Sequence, residues 1–308
     1  MTEENTGPQL PRTWQEDGPD FDAWRLRMSK TDLFGIPSGL PTLDKATRGV
    51  NGLVIINGKP GEGKTSLILQ IVTHAAQLGI PVLYFLTEMA SFLLYARTLA
   101  RLAKVDFWDV VKQTPEKRAV VQQAEAQVQK FWGNVTIADS RSVPRGRFTL
   151  YEIQVWTHSL TQKFGRAPVV VVDHVQNIDS GFPSTNLKDR MDVVASTLAS
   201  LASRYQTTVL GISEKNRANY ETAAMEGSMG SASWEYNADI LMSLMAEPRA
   251  SGIKSQSHGS KKLVKSANAA PVVPDKRALD LVILKQRLMP PTSVPLWFYP
   301  EMSLFVPR

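Results

Sequence analysis

With 308 residues, of which 43% are hydrophobic, the chain is long enough for one large α/β domain or two modest ones, and global disorder is excluded. It contains no cysteine, which excludes a disulfide scaffold and a zinc finger. The net charge of +6 equals the excess of seven basic over one acidic residue within residues 248–277, so the rest of the chain carries no overall positive field.

The N-terminal segment is polar and acidic, without the basic start and apolar core of a secretory signal. No apolar run approaches the roughly 20 residues that cross a bilayer, and both observations predict a cytoplasmic protein. Residues 1–34 are predicted to be a tail, disordered up to residue 18, with one short helix over 20–29 that places Phe21, Trp24 and Met28 on one stripe. That helix packs on its own domain or docks on a neighbouring subunit, and the sequence leaves both open.

From residue 35 onward, predicted strands alternate with predicted helices. The strands are short and apolar on both faces, and they cover residues 53–57, 81–86, 135–137, 169–172, 208–212, 240–244, 281–284 and 294–298. The helices cover residues 65–77, 89–102, 115–132, 149–164 and 191–205. This pattern indicates an α/β fold with a mostly parallel central sheet that is covered by helices on both faces.

Residues 248–277 interrupt this alternation. The segment is rich in serine, lysine and alanine and has no hydrophobic periodicity. We interpret it as a basic flexible insertion between two strands, with a solvated loop of no particular role as the alternative. The predicted organisation is therefore a tail over residues 1–34 and one domain over residues 35–308.

A glycine-rich motif follows the strand over 53–57 and leads into the helix over 65–77. It fits the pattern G-x-x-x-x-G-K-[ST] with Gly58, Lys59, Pro60, Gly61, Glu62, Gly63, Lys64 and Thr65, and Ser66 comes next. Glycines let backbone N–H groups converge on a phosphate, and the helix N-terminus adds its positive dipole end. Lys64 supplies a charge for the β- and γ-phosphates, and the Thr65 hydroxyl is a ligand for Mg²⁺. The motif predicts an ATP-binding site.

Two carboxylates lie at the carboxyl ends of predicted strands, the edge at which open α/β sheets bind ligands. Asp173 follows four valines and is predicted to hold Mg²⁺ together with Thr65, with a turn residue as the alternative. Glu88 follows the strand over 81–86 and is predicted to be the base for the attacking water. Its alternative role is a helix-start residue that complements the helix dipole.

The ordered set of motifs resembles the motor domain of DnaB-like replicative helicases. The matching segments are the phosphate-binding motif and residues 35–44, 85–89, 172–176, 213–217, 236–239, 284–287 and 294–296. The resemblance implies a RecA-like P-loop NTPase, an ATP hydrolase and DNA helicase that forms a hexameric ring with ATP between subunits. It also implies that Lys285 and Arg287 reach the γ-phosphate of a neighbouring subunit as cationic fingers, where developing charge needs a cation. Surface ion pairs are the alternative role for these two residues.

The same resemblance implies that loops at the centre of the ring hold single-stranded DNA. Residues 180–192 contain Lys188 and Arg190, and Arg217 lies just ahead of a loop over 218–233 that is rich in glycine and serine. Few aromatic residues lie in these loops, so we expect contacts to backbone phosphates rather than base stacking. Plain mobile loops would have a similar composition.

Three features depart from the family pattern. Glu214 occupies the position of a phosphate-sensing glutamine, and a carboxylate there repels phosphate. Met229 stands where the family tends to have an arginine. Because about 34 residues precede the motor, the family's N-terminal partner-binding domain is expected to be absent, as in a plasmid, phage or mobile-element relative that works with a separate loader or primase.

These observations favour an ATP-driven hexameric helicase that translocates on single-stranded DNA in replication, with a 5′-to-3′ polarity that comes from the family alone. The first alternative is a regulatory or recombination ATPase of the same fold, similar to KaiC or RadA, without unwinding activity. The second is a DNA-binding accessory protein that binds ATP with little turnover. Glu214 favours this second alternative, whereas Lys285 and Arg287 favour turnover that a neighbour activates.

Overall fold

The computed structural model describes residues 13–181, 186–214, 231–246 and 275–308. The predictions for Arg217 and Met229, and for most of residues 218–233 and 248–277, lie outside the described residues. Within the described ranges, no helix has the length and apolar character that a membrane span requires.

A nine-stranded sheet forms the centre of the described part of the chain. Its strands are β1 Leu53–Gly58, β2 Val82–Leu86, β3 Val135–Ala138, β4 Val169–Asp173, β5 Val209–Glu214, β6 Ile240–Ala246, β7 Arg277–Gln286, β8 Thr292–Tyr299 and β9 Leu304–Pro307. Their order is β3-β2-β4-β5-β1-β6-β7-β8-β9. The first six in this order pair in parallel, and β7, β8 and β9 are added antiparallel. The prediction of a mostly parallel sheet is confirmed.

Helices cover both faces of this sheet, as predicted. They are α1 Trp14–Met28, α2 Pro41–Thr47, α3 Lys64–Gln77, α4 Ser91–Ala103, α5 Phe107–Lys112, α6 Arg118–Gln129, α7 Leu150–Phe164, α8 Leu187–Tyr205 and α9 Ser231–Asn237. Val54 and Ile56 of β1 belong to the core under α3, α4 and α6. Leu53 and Ile55 belong to the core under α7 and α8. Because successive side chains of a strand point to opposite faces, β1 is buried along its whole length.

The N-terminal helix begins earlier than predicted. The Thr13 N–H donates to Oε2 of Glu16 at 2.6 Å, and the Glu16 N–H donates to the Thr13 hydroxyl at 3.3 Å. This reciprocal capping box starts α1 at Trp14, so the predicted disorder is wrong for residues 14–18. The Trp24 ring contacts the ring of Phe34 at 6.3 Å, while docking of α1 on a neighbouring subunit stays a prediction.

The predicted DNA-binding residues Lys188 and Arg190 lie in the first turn of α8 rather than in a loop. Asn186 caps this helix by accepting a hydrogen bond from the Lys188 N–H, which extends α8 four residues ahead of the predicted start at residue 191. The end of the predicted 218–233 loop is also helical, since α9 begins at Ser231. Similarly, Arg277 belongs to β7 and not to the insertion, which lies between β6 and β7.

Candidate nucleotide-binding site

The glycine-rich motif forms the turn between β1 and α3. Gly61 and Gly63 have positive φ angles of 80° and 92°, which residues with a side chain adopt only at a cost. A Cβ at Gly63 would also lie 2.7 Å from the ring of Phe298. Since α3 begins directly at Lys64 without a side-chain cap, the N–H groups of its first turn are available for an anion.

The side chain of Lys64 is held against the backbone of this loop. It is 6% exposed, and its Nζ donates to the carbonyl oxygens of Gly58 at 2.9 Å and Lys59 at 3.0 Å. Burial lowers the pKa of Lys64, while the negative charges of Glu214 and Glu62 act in the opposite direction. The structure therefore places a buried cation among backbone carbonyls and carboxylates at the start of α3.

Glu62 has a structural part in the loop. Its Oε2 accepts a hydrogen bond of 2.6 Å from the Lys59 N–H, and the side chain is buried. The Glu62 carboxylate shapes the loop and opposes the lowering of the Lys64 pKa by burial, while the nucleotide contact predicted for this position stays a prediction.

Asp173 ends β4 as a buried carboxylate beside Thr65. It is 3% exposed, its Oδ2 accepts a hydrogen bond of 3.0 Å from the Tyr84 hydroxyl, and the Thr65 side chain is hydrogen-bonded to it as well. Burial raises the pKa of Asp173, and the charge of His174 and these hydrogen bonds oppose the shift. Such a pair fits Mg²⁺, which uses one or two carboxylates together with other oxygen ligands. A cation would also offset the cost of burying the charge.

We expect Asp173→Asn to stabilise the nucleotide-free chain in EDTA and to remove ATP hydrolysis. Because burial raises the pKa of Asp173, keeping this carboxylate ionised lowers the stability of the fold at neutral pH. The asparagine amide still accepts from Tyr84 without a charge, so the melting temperature should rise by about 2 °C near neutral pH. The gain should vanish below about pH 4, where the carboxyl is protonated in both states.

Calorimetry of Asp139→Asn supplies a control of opposite sign. Hydrogen bonds from Arg141 lower the pKa of Asp139 to about 2, so this carboxylate stabilises the fold at neutral pH and the effect is lost as the pH falls towards that value. The Asp139 variant should therefore melt at a lower temperature near neutral pH. If Asp173→Asn also melted lower, the Asp173 carboxylate would stabilise the fold and the role assigned to its burial would be wrong.

Glu88 follows β2 and is held by the segment that follows β4. Its Oε1 accepts a hydrogen bond of 3.1 Å from Nδ2 of Asn177, and its Oε2 lies 3.1 Å from Nδ1 of His174. The Thr87 N–H donates to the carbonyl of Asp173, and the His174 N–H donates to the Thr87 hydroxyl, both at 2.8 Å. The structure thus brings Glu88 and Asp173 to one edge of the sheet. The Glu88 side chain is 52% exposed, so water can reach it.

A cleft of about 640 Å³ opens on these residues. It is lined by the glycine-rich loop, Glu88 and Glu214, and by residues of α5 and of the turn between β8 and β9. Trp108, Phe298 and Glu301 also line it. The volume lies in the range of about 300–1,000 Å³ that is typical of small-molecule sites, so the cleft is suited to a nucleotide.

Lys285 and Arg287 lie near the other end of β1. Nε of Arg287 is 2.8 Å from Oδ1 of Asp239, whose Oδ2 accepts from the N–H of Leu53, the first residue of β1. The glycine-rich loop begins at the last residue of this six-residue strand, roughly 17 Å away at about 3.3 Å per residue. Nζ of Lys285 donates to the Glu235 carbonyl near the same end. Neither residue is brought to the cleft of its own chain.

The sequence did not identify several residues that shape the site. Tyr84 hydrogen-bonds to Asp173 but has the pattern of a core residue in a buried strand. Asn177 belongs to a short turn without a recognisable motif, and Trp108 lies on α5, which was not predicted. His174 does stand next to Asp173 within a family motif, and this position was the available signal.

The fold and the site define a P-loop NTPase with a RecA-like ATPase fold. The ATPase domain of a phage helicase matches with a TM-score of 0.79 at 18% identity, over 97% of this chain and 100% of that chain. A structure that describes a DnaB-like replicative helicase and its interactions with primase matches with a TM-score of 0.75 at 18% identity. The match covers 98% of this chain and 68% of that chain. A KaiC-like protein of Pyrococcus horikoshii matches with a TM-score of 0.56 at 15% identity, over 90% of this chain and 99% of that chain.

The chain belongs to the DnaB-like helicase C terminal domain family, whose model matches residues 35–307. The replicative DNA helicase DnaB of Leifsonia xyli subsp. xyli is 27% identical over 222 residues, which are 70% of this chain and 47% of that protein. The replicative DNA helicase DnaC of Bacillus subtilis is 24% identical over 297 residues, which are 92% of this chain and 58% of that protein. The chain thus spans about half the length of these relatives. The resemblance seen in the order of the motifs is confirmed.

Proposed function

We propose that this chain is the ATP-hydrolysing motor of a hexameric DNA helicase that translocates on single-stranded DNA in replication. In this chain, which belongs to a helicase family, the nucleotide cleft and the pair of cations Lys285 and Arg287 are far apart. This separation is the observation that carries the proposal. The cleft lies at one end of β1, whereas Lys285 and Arg287 lie towards the other end. A ring of identical subunits joins the two halves, because each subunit offers its cations to the cleft of the next.

Binding of ATP rests on the glycine-rich loop and the start of α3. Their N–H groups donate to the phosphates, and Lys64 moves its three ammonium donors from the carbonyls of Gly58 and Lys59 to the β- and γ-phosphate oxygens. Thr65 and Asp173 would hold Mg²⁺, which neutralises charge on these phosphates when it is bound. Tyr84 keeps the Asp173 carboxylate in place.

Hydrolysis requires a base for water and cations for the developing charge. Glu88 fills the first role, because it is half exposed at the cleft and each of its oxygens has one partner, Asn177 or His174. A carboxylate has about four lone-pair sites, so each oxygen keeps one site at which it can take a proton from water. Lys285 and Arg287 of the neighbouring subunit stabilise the charge on the transferring phosphoryl group.

The partners of this motor are proposed from the family and from charge. Lys188 and Arg190 at the start of α8, together with Arg217, contact the phosphates of single-stranded DNA. A separate loader or primase delivers the ring to DNA, and the protein acts in the cytoplasm with 5′-to-3′ polarity.

A KaiC-like regulatory ATPase is the second candidate. The matching family model and the two curated relatives named above are helicases, however, and the KaiC-like structure has the lowest TM-score of the three.

The proposal predicts that single-stranded DNA stimulates ATP turnover by at least about fivefold, a typical coupling between two sites. Turnover is measured with ATP and Mg²⁺, with and without oligo-dT, and light scattering of the same sample should give the mass of a hexamer. The double variant Lys188→Ala with Arg190→Ala should keep basal turnover and lose most of the stimulation. Full turnover by a monomer that ignores DNA would leave only a generic nucleotide-binding fold.

A further inference from the structure

The ion pair between Arg287 and Asp239 engages the inner nitrogen of the guanidinium. The contact of 2.8 Å is made by Nε, and the Arg287 side chain is 61% exposed. A guanidinium has five N–H donors in a rigid planar fork, and a partner at Nε leaves free the outer edge, where one N–H of each Nη group points. An arginine that is anchored in this way presents its outer edge to an oxyanion.

Asp239 is itself fixed to the first residue of β1. Its Oδ2 accepts from the Leu53 N–H and its own N–H donates to the Leu53 carbonyl, both at 2.8 Å. Gly52, with φ of +65°, allows this close approach, because a Cβ there would lie 2.2 Å from Oδ2. The carboxylate is therefore ordered before Arg287 binds to it. An ordinary surface ion pair must order both partners, which is why such pairs contribute little.

The anchor of Lys285 lies in the same short stretch of chain. Its Nζ donates to the Glu235 carbonyl of α9, and Asp239 follows between α9 and β6. The negative charge of Asp239 also raises the pKa of Lys285 against the effect of burial. Both cations are thus attached to the junction of α9 and β6, which is tied to β1, the strand that ends in the glycine-rich loop.

We propose that Asp239 is the positioning residue of Arg287, which it holds at Nε so that the outer edge faces the γ-phosphate of the neighbouring subunit. The inference rests on the proposed function, because it needs Arg287 to act across a subunit boundary. Asp239 is not among the residues that line the cleft of its own chain. Asp239 also contacts Leu53 of β1, and β1 leads into the glycine-rich loop. It therefore connects Arg287, which serves the neighbouring subunit, to the nucleotide site of its own subunit.

Asp239→Asn tests this role, because the amide oxygen still accepts from the Leu53 N–H while the charge that holds Arg287 is gone. We expect kcat to fall about 10- to 100-fold, the usual effect of misplacing a catalytic group. The KM for ATP and the melting temperature should change little. Asp280→Asn is the matched control. Asp280 lies on β7 and pairs with Arg308 at 3.6 Å, away from Arg287, so kcat should be unchanged in this variant.

A double-mutant cycle separates positioning from a structural effect. Adding Asp239→Asn to Arg287→Ala should cause no further loss, because the residue acts through Arg287 alone. If Asp239→Asn lowered kcat in the Arg287→Ala background as much as it does alone, the inference would be overturned and the effect would run through β1. Unchanged kcat in Asp239→Asn, with Arg287→Ala inactive, would overturn the inference and leave the proposed function standing. Full activity of Arg287→Ala would instead remove the finger itself.

Discussion

Replacing Lys64 with alanine should abolish ATP hydrolysis, with a fall in turnover of at least about 100-fold, the usual effect of removing one donor at developing charge. Lys64 is buried beside the loop carbonyls, so its ammonium already lies where the phosphates are expected to bind. The loss of this charge should also weaken ATP binding. Phosphate release at saturating ATP and Mg²⁺ measures the effect.

Lys163→Ala is the matched control for this experiment. Lys163 lies in the last turn of α7, where its Nζ sits 5.2 Å from the ring centre of Phe164. The variant loses the same charge at an exposed position outside the cleft, and its turnover should equal that of the unaltered chain. Retained turnover in Lys64→Ala would remove the assignment of the nucleotide site.

Replacing Arg287 with alanine should leave nucleotide binding intact and lower turnover by about 1,000-fold, the lower end of the effect of arginine fingers. Arg287 lies near the end of β1 that is opposite the cleft of its own chain, so the binding site of each subunit does not include it. A fluorescent ATP analogue measures the dissociation constant, which should stay within about threefold, a change below 1 kcal/mol.

Arg204→Ala is the control for the removal of a guanidinium. Arg204 stands in the last turn of α8, and its guanidinium lies 5.8 Å from the ring centre of its neighbour Tyr205. Turnover of this variant should be unchanged, and light scattering should show that both arginine variants still assemble. Equal losses of binding and turnover in Arg287→Ala would argue against a role across the subunit boundary.

The central strands and the catalytic edge were predictable because their signals are local. Four valines followed by Asp173 form a buried strand that ends in a carboxylate, and the structure has this strand as β4. Glu88 follows β2 in the same manner, and parallel strands end at one edge. The glycine-rich loop requires positive φ angles at Gly61 and Gly63, and glycine is the residue type that adopts them most readily.

Helix boundaries were less predictable because side-chain caps override periodicity. Thr13 starts α1 ahead of the stripe that suggested a helix, and Asn186 starts α8 ahead of Met191. For the second helix, the error turned Lys188 and Arg190 into loop residues. The short α5 was missed as well, although it forms part of the cleft wall.

The sequence by itself determined the class of the protein, since the phosphate loop, the two carboxylates and their strands are each encoded within a few neighbouring residues. Only the tertiary structure decided which distant groups meet. Tyr84 reaches Asp173 across 89 positions, and Asp239 reaches Leu53 across 186. These contacts depend on the strand order, which places β4 beside β2 and β6 beside β1. Because β6 runs parallel to β1 and β7 runs antiparallel to β6, the end of β7, and with it Arg287, lies at the end of β1 opposite the cleft. No local pattern in the sequence fixes which strands become neighbours, so only the tertiary structure could decide this.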